Sequence, residues 1–265
     1  MVESQTLETH EGEGEATSTG LNHRKMLMWA FLGSDCMFFG SLIATYLVYQ
    51  GKSLSGPLPI DVFDIPVTSV STFVLLMSSM SMVLAYAALT RGSMKTFRIW
   101  LASTAIMGMT FLAFQVFEFY EFANHHVGVS CNDDPAEWTK LETSLAGGCE
   151  AGASGQEIRV RGFTDIVYHA GGAHGPEIDA TYGLTPKTNL FGTTFFSLTG
   201  FHGAHVTLGV IWLLSLYFYS FKKGGVTPKR NLDLDLAALY WHFVDVVWII
   251  IFTVVYLFGV FPGLQ

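Results

Sequence analysis

Five long apolar runs, separated by polar segments, form the main pattern of the sequence. Each run reaches the roughly 20 residues that an α-helix needs to cross the hydrocarbon core of a bilayer. Proline and glycine residues punctuate the first and fourth connections, where helices are expected to end. The pattern predicts an all-α, polytopic membrane protein, a bundle of five transmembrane helices with one long extracytoplasmic loop. The predicted helices are Met26–Tyr49, Val67–Leu89, Phe97–Phe122, Leu190–Phe221 and Leu236–Val260.

The segments outside the helices divide the chain into four parts. Residues 1–22 are polar and rich in glutamate, which predicts a disordered acidic tail and is unlike a secretory signal peptide. Residues 23–122 hold the first three helices, and residues 189–265 hold the last two. Residues 123–188 make a connection that is too long for a simple link between helices, so we interpret them as a loop insertion.

Composition agrees with a membrane protein and disfavours other classes. Half of the 265 residues are hydrophobic and 14% are charged, which is few for a soluble protein. The net charge of −8 is concentrated in the tail and the long loop. Basic residues occur only in short clusters beside helices, so a nucleic-acid partner is not expected.

Positive charge predicts the orientation in the membrane. With the N-terminus inside, nine basic residues lie in inner segments: Arg24, Lys25, Arg91, Lys95, Arg98, Lys222, Lys223, Lys229 and Arg230. Five lie in outer segments: Lys52, Lys140, Arg159, Arg161 and Lys187. Cytoplasmic segments carry the excess of positive charge. We therefore expect a bacterial-type plasma membrane protein with a cytoplasmic N-terminus and with the long loop and the C-terminus outside.

Ionisable residues interrupt the last two apolar runs. His242 and Asp245 lie three residues apart in the last run, and His202 and His205 do the same in the fourth. Residues three apart share one face of a helix, and ionisable groups at membrane depth are costly unless they face protein or water. The pairs are either polar seams that dock one helix on another, or sites for protons or lipid head groups.

Five motifs, in this order along the chain, carry a resemblance to a known family. Three of them are similar to the SExMFF, QxxEYYE and YGSTFF segments of subunit III of the haem–copper cytochrome c oxidases. Together the motifs resemble that family, in its five-helix form, over about residues 26–122 and 188–262. The motifs are GSDCMFF (33–39), QVFEFYE (115–121), FGTTFF (191–196), TGFHGAHV (199–206) and YWHFVDVVW (240–248).

The resemblance implies a non-redox subunit III of a proton-pumping aerobic respiratory terminal oxidase, which passes electrons from cytochrome c to oxygen. Haem and copper would belong to partner subunits, and this chain would hold no cofactor, no metal and no catalytic centre of its own. It would brace subunit I, its main contact, meet subunit II and the other subunits, bind phospholipid and support proton uptake. Where family members have seven helices, lipids fill a cleft beside the first two. Here that cleft would be open or filled by helices fused to subunit I.

Three alternatives remain at this stage. A quinol oxidase would use an equivalent subunit, because the choice of electron donor resides in subunit II. An independent transporter would predict helices broken by glycine or proline near the midplane, which the runs do not show. A membrane hydroxylase would need a larger array of clustered histidines than this sequence has.

Eight polar residues on the apolar runs are candidates for a buried proton- or lipid-related site. Asp35 stands where the family has glutamate, one methylene longer, so any role that needs the longer reach is uncertain. We expect its carboxyl to lie within hydrogen-bonding reach of His202 or His205, because polar groups at membrane depth need partners. The candidates are Asp35, Gln115, Glu118, Glu121, His202, His205, His242 and Asp245.

Small residues and cysteines complete the predictions. Gly33, Gly40, Gly200 and Gly203 are expected to pack helices closely, above all against subunit I. The long loop contains Cys131 and Cys149, and an oxidising compartment would allow them to form a disulfide or to remain two free thiols.

Overall fold

Five helices of a computed structural model correspond to the five apolar runs. Among the described residues, these five are long and apolar enough to cross a membrane, which confirms the predicted membrane bundle. The fifth helix continues into a π-helical segment, Phe252–Leu257, and a last α-helical turn, α6 (Phe258–Val260). The helices are α1 (His23–Tyr49), α2 (Ile65–Thr90), α3 (Met94–Ala123), α4 (Leu190–Tyr219) and α5 (Leu232–Ile251).

The chain divides into two compact units, Met1–Phe38 and Phe39–Gln265. The structure describes most of the residues in the membrane helices and parts of their connections. Residues 1–21 of the predicted tail, which was expected over residues 1–22, lie outside the described residues. The described ranges are 22–52, 63–123, 125–130, 149–151, 158–160, 165–172, 175–182, 184–187, 190–222, 224–228 and 231–260, with only the backbone described between 125 and 182.

The long third connection contains strands, which the sequence pattern did not predict. They form two antiparallel sheets, one of three strands in the order β1, β5, β4 and one of β2 with β3. In the larger sheet His125 pairs with Tyr182, and His125 follows shortly after the end of α3. The all-α prediction therefore applies to the membrane helices and not to this connection. The strands are β1 (His125–Ser130), β2 (Cys149–Ala151), β3 (Ile158–Val160), β4 (Asp165–Gly172) and β5 (Gly175–Tyr182).

At one end of the second unit, α2 turns directly into α3. Gly92 adopts a φ of 78°, which glycine tolerates best, and its amide donates to the carbonyl of Leu89 at 2.9 Å. The same end holds the start of α3 and the end of α4. Arg98 connects them, because its Nε donates to Ser220 Oγ at 3.1 Å. We call this the basic end, after Arg91, Lys95, Arg98 and Lys222.

The opposite end of the second unit is held by aromatic side chains. Phe63 lies before α2, and its ring centroid is 5.1 Å from that of Phe195 on α4 and 4.4 Å from that of Tyr256. Phe122, at the end of α3, packs on both phenylalanines. Large aromatic rings contribute much buried area, so this cluster joins four segments where the backbone enters the membrane.

Candidate functional site

Trp241 lies at the centre of four helices. It is 2% exposed, and its indole Nε1 on α5 donates to Ser78 Oγ on α2 at 3.0 Å. Its ring fits against two glycines: a Cβ built on Gly108 of α3 would lie 2.6 Å from Trp241 Cη2, and one built on Gly209 of α4 would lie 2.9 Å from Cζ3. Only glycine leaves room for the indole at both positions, so one side chain sets the spacing of α2, α3, α4 and α5.

A polar seam continues along the contact of α5 with α2. Asp245 is 4% exposed and accepts a short hydrogen bond from the hydroxyl of Ser79 through its Oδ2. One turn further along, Trp248 Nε1 donates to Thr72 Oγ1 at 3.0 Å. Among the described residues, Asp245 Oδ1 has no hydrogen-bond partner. The seam docks two helices on each other through side-chain hydrogen bonds, the arrangement that polar residues commonly adopt in lipid.

Gln115 makes a second contact between helices, from α3 to α4. Its Nε2 donates to the carbonyl oxygen of Thr199 at 2.8 Å. The amide lies flat over Gly203, where an added Cβ would come within 2.6 Å of Gln115 Oε1. Thr199 donates its own hydroxyl to Phe195 O within α4. Gln115 therefore needs a glycine opposite it on α4.

Glu118 lies buried near the aromatic cluster, at the ends of α2, α3 and α5. It is 6% exposed, with Thr68 Oγ1 2.7 Å from its Oε1 and Tyr256 Oη 3.5 Å from its Oε2. Tyr256 belongs to the π-helical segment. An extra residue in a helical turn re-aims the side chains that follow it, and such segments occur often at functional positions. The π-helical segment thus carries the tyrosine whose hydroxyl lies next to the Glu118 carboxyl.

Glu121 is exposed and takes no part in the buried contacts of the described residues, so a proton- or lipid-related role for it stays a prediction. The buried positions of α3 near this end are Phe111, Gln115, Glu118 and Phe122, at steps of four, three and four. These steps follow one stripe along the helix, and Glu121 falls outside it because each residue rotates about 100°. The QVFEFYE motif therefore places one acid inside the helix contacts and one on the surface.

His202 lies fully buried in a box of aromatic rings. Its ring stacks on Trp248 with centroids 4.9 Å apart and meets Phe111 edge-on at 6.0 Å. Neither ring nitrogen has a hydrogen-bond partner among the described residues. His205, three residues on, is half-buried and has its Nδ1 2.7 Å from Phe201 O. The two histidines of the motif thus differ: one packs as an aromatic ring, and the other is bound to its own helix.

Two further ionisable candidates are His242 on α5 and Asp35 on α1. His242 is half-buried, and its Nδ1 lies 2.6 Å from Ala238 O of its own helix. Asp35 belongs to the first unit, which is described by itself, so its predicted contact with His202 or His205 stays a prediction. In the second unit, Phe39 meets His205 edge-on with ring centroids 4.9 Å apart.

The predicted packing glycines divide into two kinds. Gly203 packs α4 against α3, beneath Gln115, as a helix-packing glycine is expected to do, and its contact with subunit I stays a prediction. A Cβ on Gly33, Gly40 or Gly200 would meet no described atom within 4 Å. These three make no close helix contact among the described residues and stay predictions for a contact with a partner.

The predicted disulfide cannot be placed within the described residues. Cys131 lies outside them, and for Cys149 only the backbone, in β2, is described. The pairing of Cys131 with Cys149 therefore stays a prediction. Cys36, the other cysteine, is an exposed free thiol on α1.

Several contributors to the site were not singled out from the sequence. Gly108 and Ser78 complete the surroundings of Trp241, while Thr68 and Tyr256 complete those of Glu118. The small polar residues of α2 gave a usable signal, since Thr68, Thr72 and Ser79 recur at helical spacing in an otherwise apolar run.

Comparisons with known proteins agree with this architecture. The family model described as cytochrome c oxidase subunit III matches residues 176–260, which include α4 and α5 with Gly209 and Trp241. Cytochrome c oxidase subunit 3 of Alkalihalophilus pseudofirmus is 30% identical over 245 residues, covering 92% of this chain and 91% of that protein. The chain belongs to the cytochrome c oxidase subunit III family. The resemblance found in the sequence motifs is thereby confirmed.

Relatives within the subunit III family carry two kinds of name. Quinol oxidase subunit 3 of Bacillus spizizenii is 31% identical over 231 residues, covering 87% of this chain and 85% of that protein. Cytochrome bo(3) ubiquinol oxidase subunit 3 of Pseudomonas putida is 31% identical over 232 residues, covering 88% and 84%. The chain is thus a multi-pass membrane protein, a subunit III of the terminal oxidases.

Proposed function

We propose that this chain is the non-redox subunit III of a proton-pumping cytochrome c oxidase. It braces subunit I, binds phospholipid and keeps proton uptake fast during oxygen reduction, while haem and copper lie in partner subunits. The observation that carries the proposal is the likeness to named oxidase subunits over nearly the whole chain, 92% of it in one case. The N-terminus lies in the cytoplasm, and the long connection and the C-terminus lie outside, following the distribution of positive charge.

The interior of the bundle supports a structural role. Its polar side chains are largely occupied in hydrogen bonds between helices: Trp241 with Ser78, Trp248 with Thr72, and Gln115 with Thr199. Among the described residues, no three His, Cys, Asp or Glu side chains are grouped as metal ligands would be. A side-chain arrangement of this kind suits a rigid brace better than a redox centre.

The outer faces of the helices support contact with lipid and with a larger subunit. Large apolar side chains are exposed on every membrane helix, such as Phe73 at 60%, Val116 at 69% and Leu208 at 61%. Exposed apolar faces of this extent mark contact with a membrane or a partner. Removing the subunit would leave the matching flank of subunit I to lipid or detergent and would loosen its packing near a proton entrance.

The test compares the purified oxidase with and without this chain. Haem absorbance and the initial rate of oxygen reduction are expected to persist, whereas turnover in alkaline buffer and the number of turnovers before inactivation should fall. The matched control is the depleted complex to which the chain has been added back. Loss of haem absorbance on removal, or an unchanged rate and lifetime, would contradict the proposal.

A quinol oxidase is the second candidate, because relatives named quinol oxidase subunit 3 are as similar as those named cytochrome c oxidase subunit 3. The purified complex decides between the two donors. Oxidation of reduced cytochrome c supports the first, and oxidation of a quinol without activity on cytochrome c supports the second.

A further inference from the structure

A groove runs between α3 and α4 at the basic end of the second unit. Its volume is about 640 Å³, and it opens along the outer surface of the two helices. Two basic side chains stand at its mouth and mainly apolar ones line the rest. The residues that line it include Lys95, Arg98, Ile99, Ala102, Tyr217 and Phe221.

The walls of the groove suit a hydrocarbon chain. Ala102 and Ser103 are small and half-buried, which leaves a hollow between the larger side chains of α3 and Tyr217 of α4. Ile99 is 67% exposed beside the hollow. An apolar trough on a membrane-facing surface is filled by an acyl chain more readily than by water.

The mouth of the groove is positively charged and held in place. Arg98 donates through Nε to Ser220 Oγ at 3.1 Å and through Nη2 to Ser220 O at 2.5 Å. Its guanidinium carbon lies 4.2 Å from the centre of the Phe221 ring. These contacts fix the cation beside the apolar trough. Lys95, one turn earlier on α3, is exposed and adds a second cation on the same side of the helix.

We propose that this groove binds one anionic phospholipid, with its phosphate at Lys95 and Arg98 and an acyl chain along Ala102. This groove gives a location to the lipid binding that we propose for the subunit, and the inference rests on that proposed function. Charge complementarity selects the occupant, since basic pockets between membrane helices bind anionic head groups. A partner helix would fill the trough but would leave both cations unmatched, unless it brought acidic residues to the mouth.

The groove is defined by this chain alone. Arg98, Ser220 and Phe221 all belong to the second unit, and their contacts join α3 to the end of α4. The other basic residues of this end, Arg91 and Lys222, do not line the groove. Lys222 therefore offers a matched control with the same charge at the same end of the bundle.

The test uses the complete oxidase complex and native mass spectrometry. The complex is stripped of lipid and titrated with phosphatidylglycerol, or with phosphatidylcholine as the zwitterionic comparison. Lys95→Gln should weaken the binding of one phosphatidylglycerol about five-fold, the factor expected for one surface cation. Ala102→Phe should abolish that binding by filling the trough, and Lys222→Gln should leave it unchanged. Phosphatidylcholine should bind this site weakly in every variant.

Four results would overturn the proposal. These are equal lipid retention in the wild type and both groove variants, equal loss in Lys222→Gln, displacement of the lipid by millimolar inorganic phosphate, or a cross-link from Ile99→Cys to another subunit. Equal retention would show that lipid does not bind in the groove, and equal loss in Lys222→Gln would show a general effect of positive charge. Displacement by phosphate would show a site for free phosphate only, and the cross-link would show that a protein covers the groove. Haem absorbance is measured on the same preparation. If the chain purified without haem-containing subunits, the oxidase assignment would fail, whatever the lipid result.

Discussion

Trp241 and Ser78 are joined by a hydrogen bond of 3.0 Å between two helices that lie far apart in the chain. The donor is a large indole and the acceptor a small hydroxyl, both fully enclosed by protein. The bond satisfies the N–H of the indole, which is the one polar group of this side chain. Gly108 of α3 and Gly209 of α4 leave the space that the ring occupies. One side chain therefore positions α2, α3, α4 and α5 relative to one another.

Replacing Trp241 by phenylalanine should destabilise the subunit by about 2 kcal/mol or more. The change removes the bond to Ser78 and leaves part of the indole volume empty between Gly108 and Gly209. The measurement is the temperature at which this subunit is lost from the purified complex. Trp212→Phe is the control, because that ring is only half-buried. Equal shifts for the two variants would show that the Trp241 contacts are not special.

Gly209→Val should destabilise the subunit itself, whereas Gly200→Val should leave the fold of the subunit unchanged. Both glycines lie on α4, but a Cβ at Gly209 would meet the Trp241 ring at 2.9 Å and one at Gly200 would meet no described atom within 4 Å. Overpacking of this kind costs about 1–3 kcal/mol or more, and the rigid indole cannot turn away. The thermal stability of the subunit in detergent measures the difference, and equal stability of the two variants would contradict it. Loss of the Gly200→Val subunit from the assembled complex would support the predicted contact of that face with a partner subunit.

Asp245 and Ser79 should show energetic coupling in a double-mutant cycle. Asp245→Ala and Ser79→Ala each break the same bond between α5 and α2, so the double variant should lose less than the sum of the two single variants. Coupling between side chains across membrane helices averages about 0.6 kcal/mol and reaches about 1.7, and this buried pair should lie in the upper part of that range. Ser215→Ala, which removes an exposed hydroxyl bound to its own helix, is the control partner for Asp245→Ala and should show no coupling.

Glu118→Leu should cost more stability than Glu121→Leu by about 1–3 kcal/mol. The buried carboxyl lies against the hydroxyls of Thr68 and Tyr256, and leucine would leave both without this partner in a dry environment. Glu121 is exposed on the same helix, so its loss removes no buried contact. Thermal loss of the subunit from the complex reports the difference. Glu118→Gln should recover most of it, because the amide oxygen still accepts a hydrogen bond.

The number and approximate bounds of the membrane helices were determined by the sequence alone. In the bilayer core no water is present to satisfy the backbone, so an apolar run of sufficient length has to form a helix wherever it lies. The run beginning at Leu190 starts α4 at that residue, whereas α5 begins at Leu232 instead of Leu236. The earlier start brings Asp233 and Asp235 into the first turn, where negative charge favours the helix dipole. The family was also readable, because its motifs are local.

Only the tertiary structure decided which faces of those helices meet. Lipid is as apolar as the protein interior, so a membrane helix carries no apolar stripe that marks its inward face. For that reason the sequence left Glu118 and Glu121 equivalent, although one is buried and the other exposed. The partners of Trp241 come from three other helices, and nothing in the spacing along one helix records the rotation of its neighbours. The π turn that presents Tyr256 to Glu118 likewise depends on packing at the aromatic end, where the ring of Phe63 meets it.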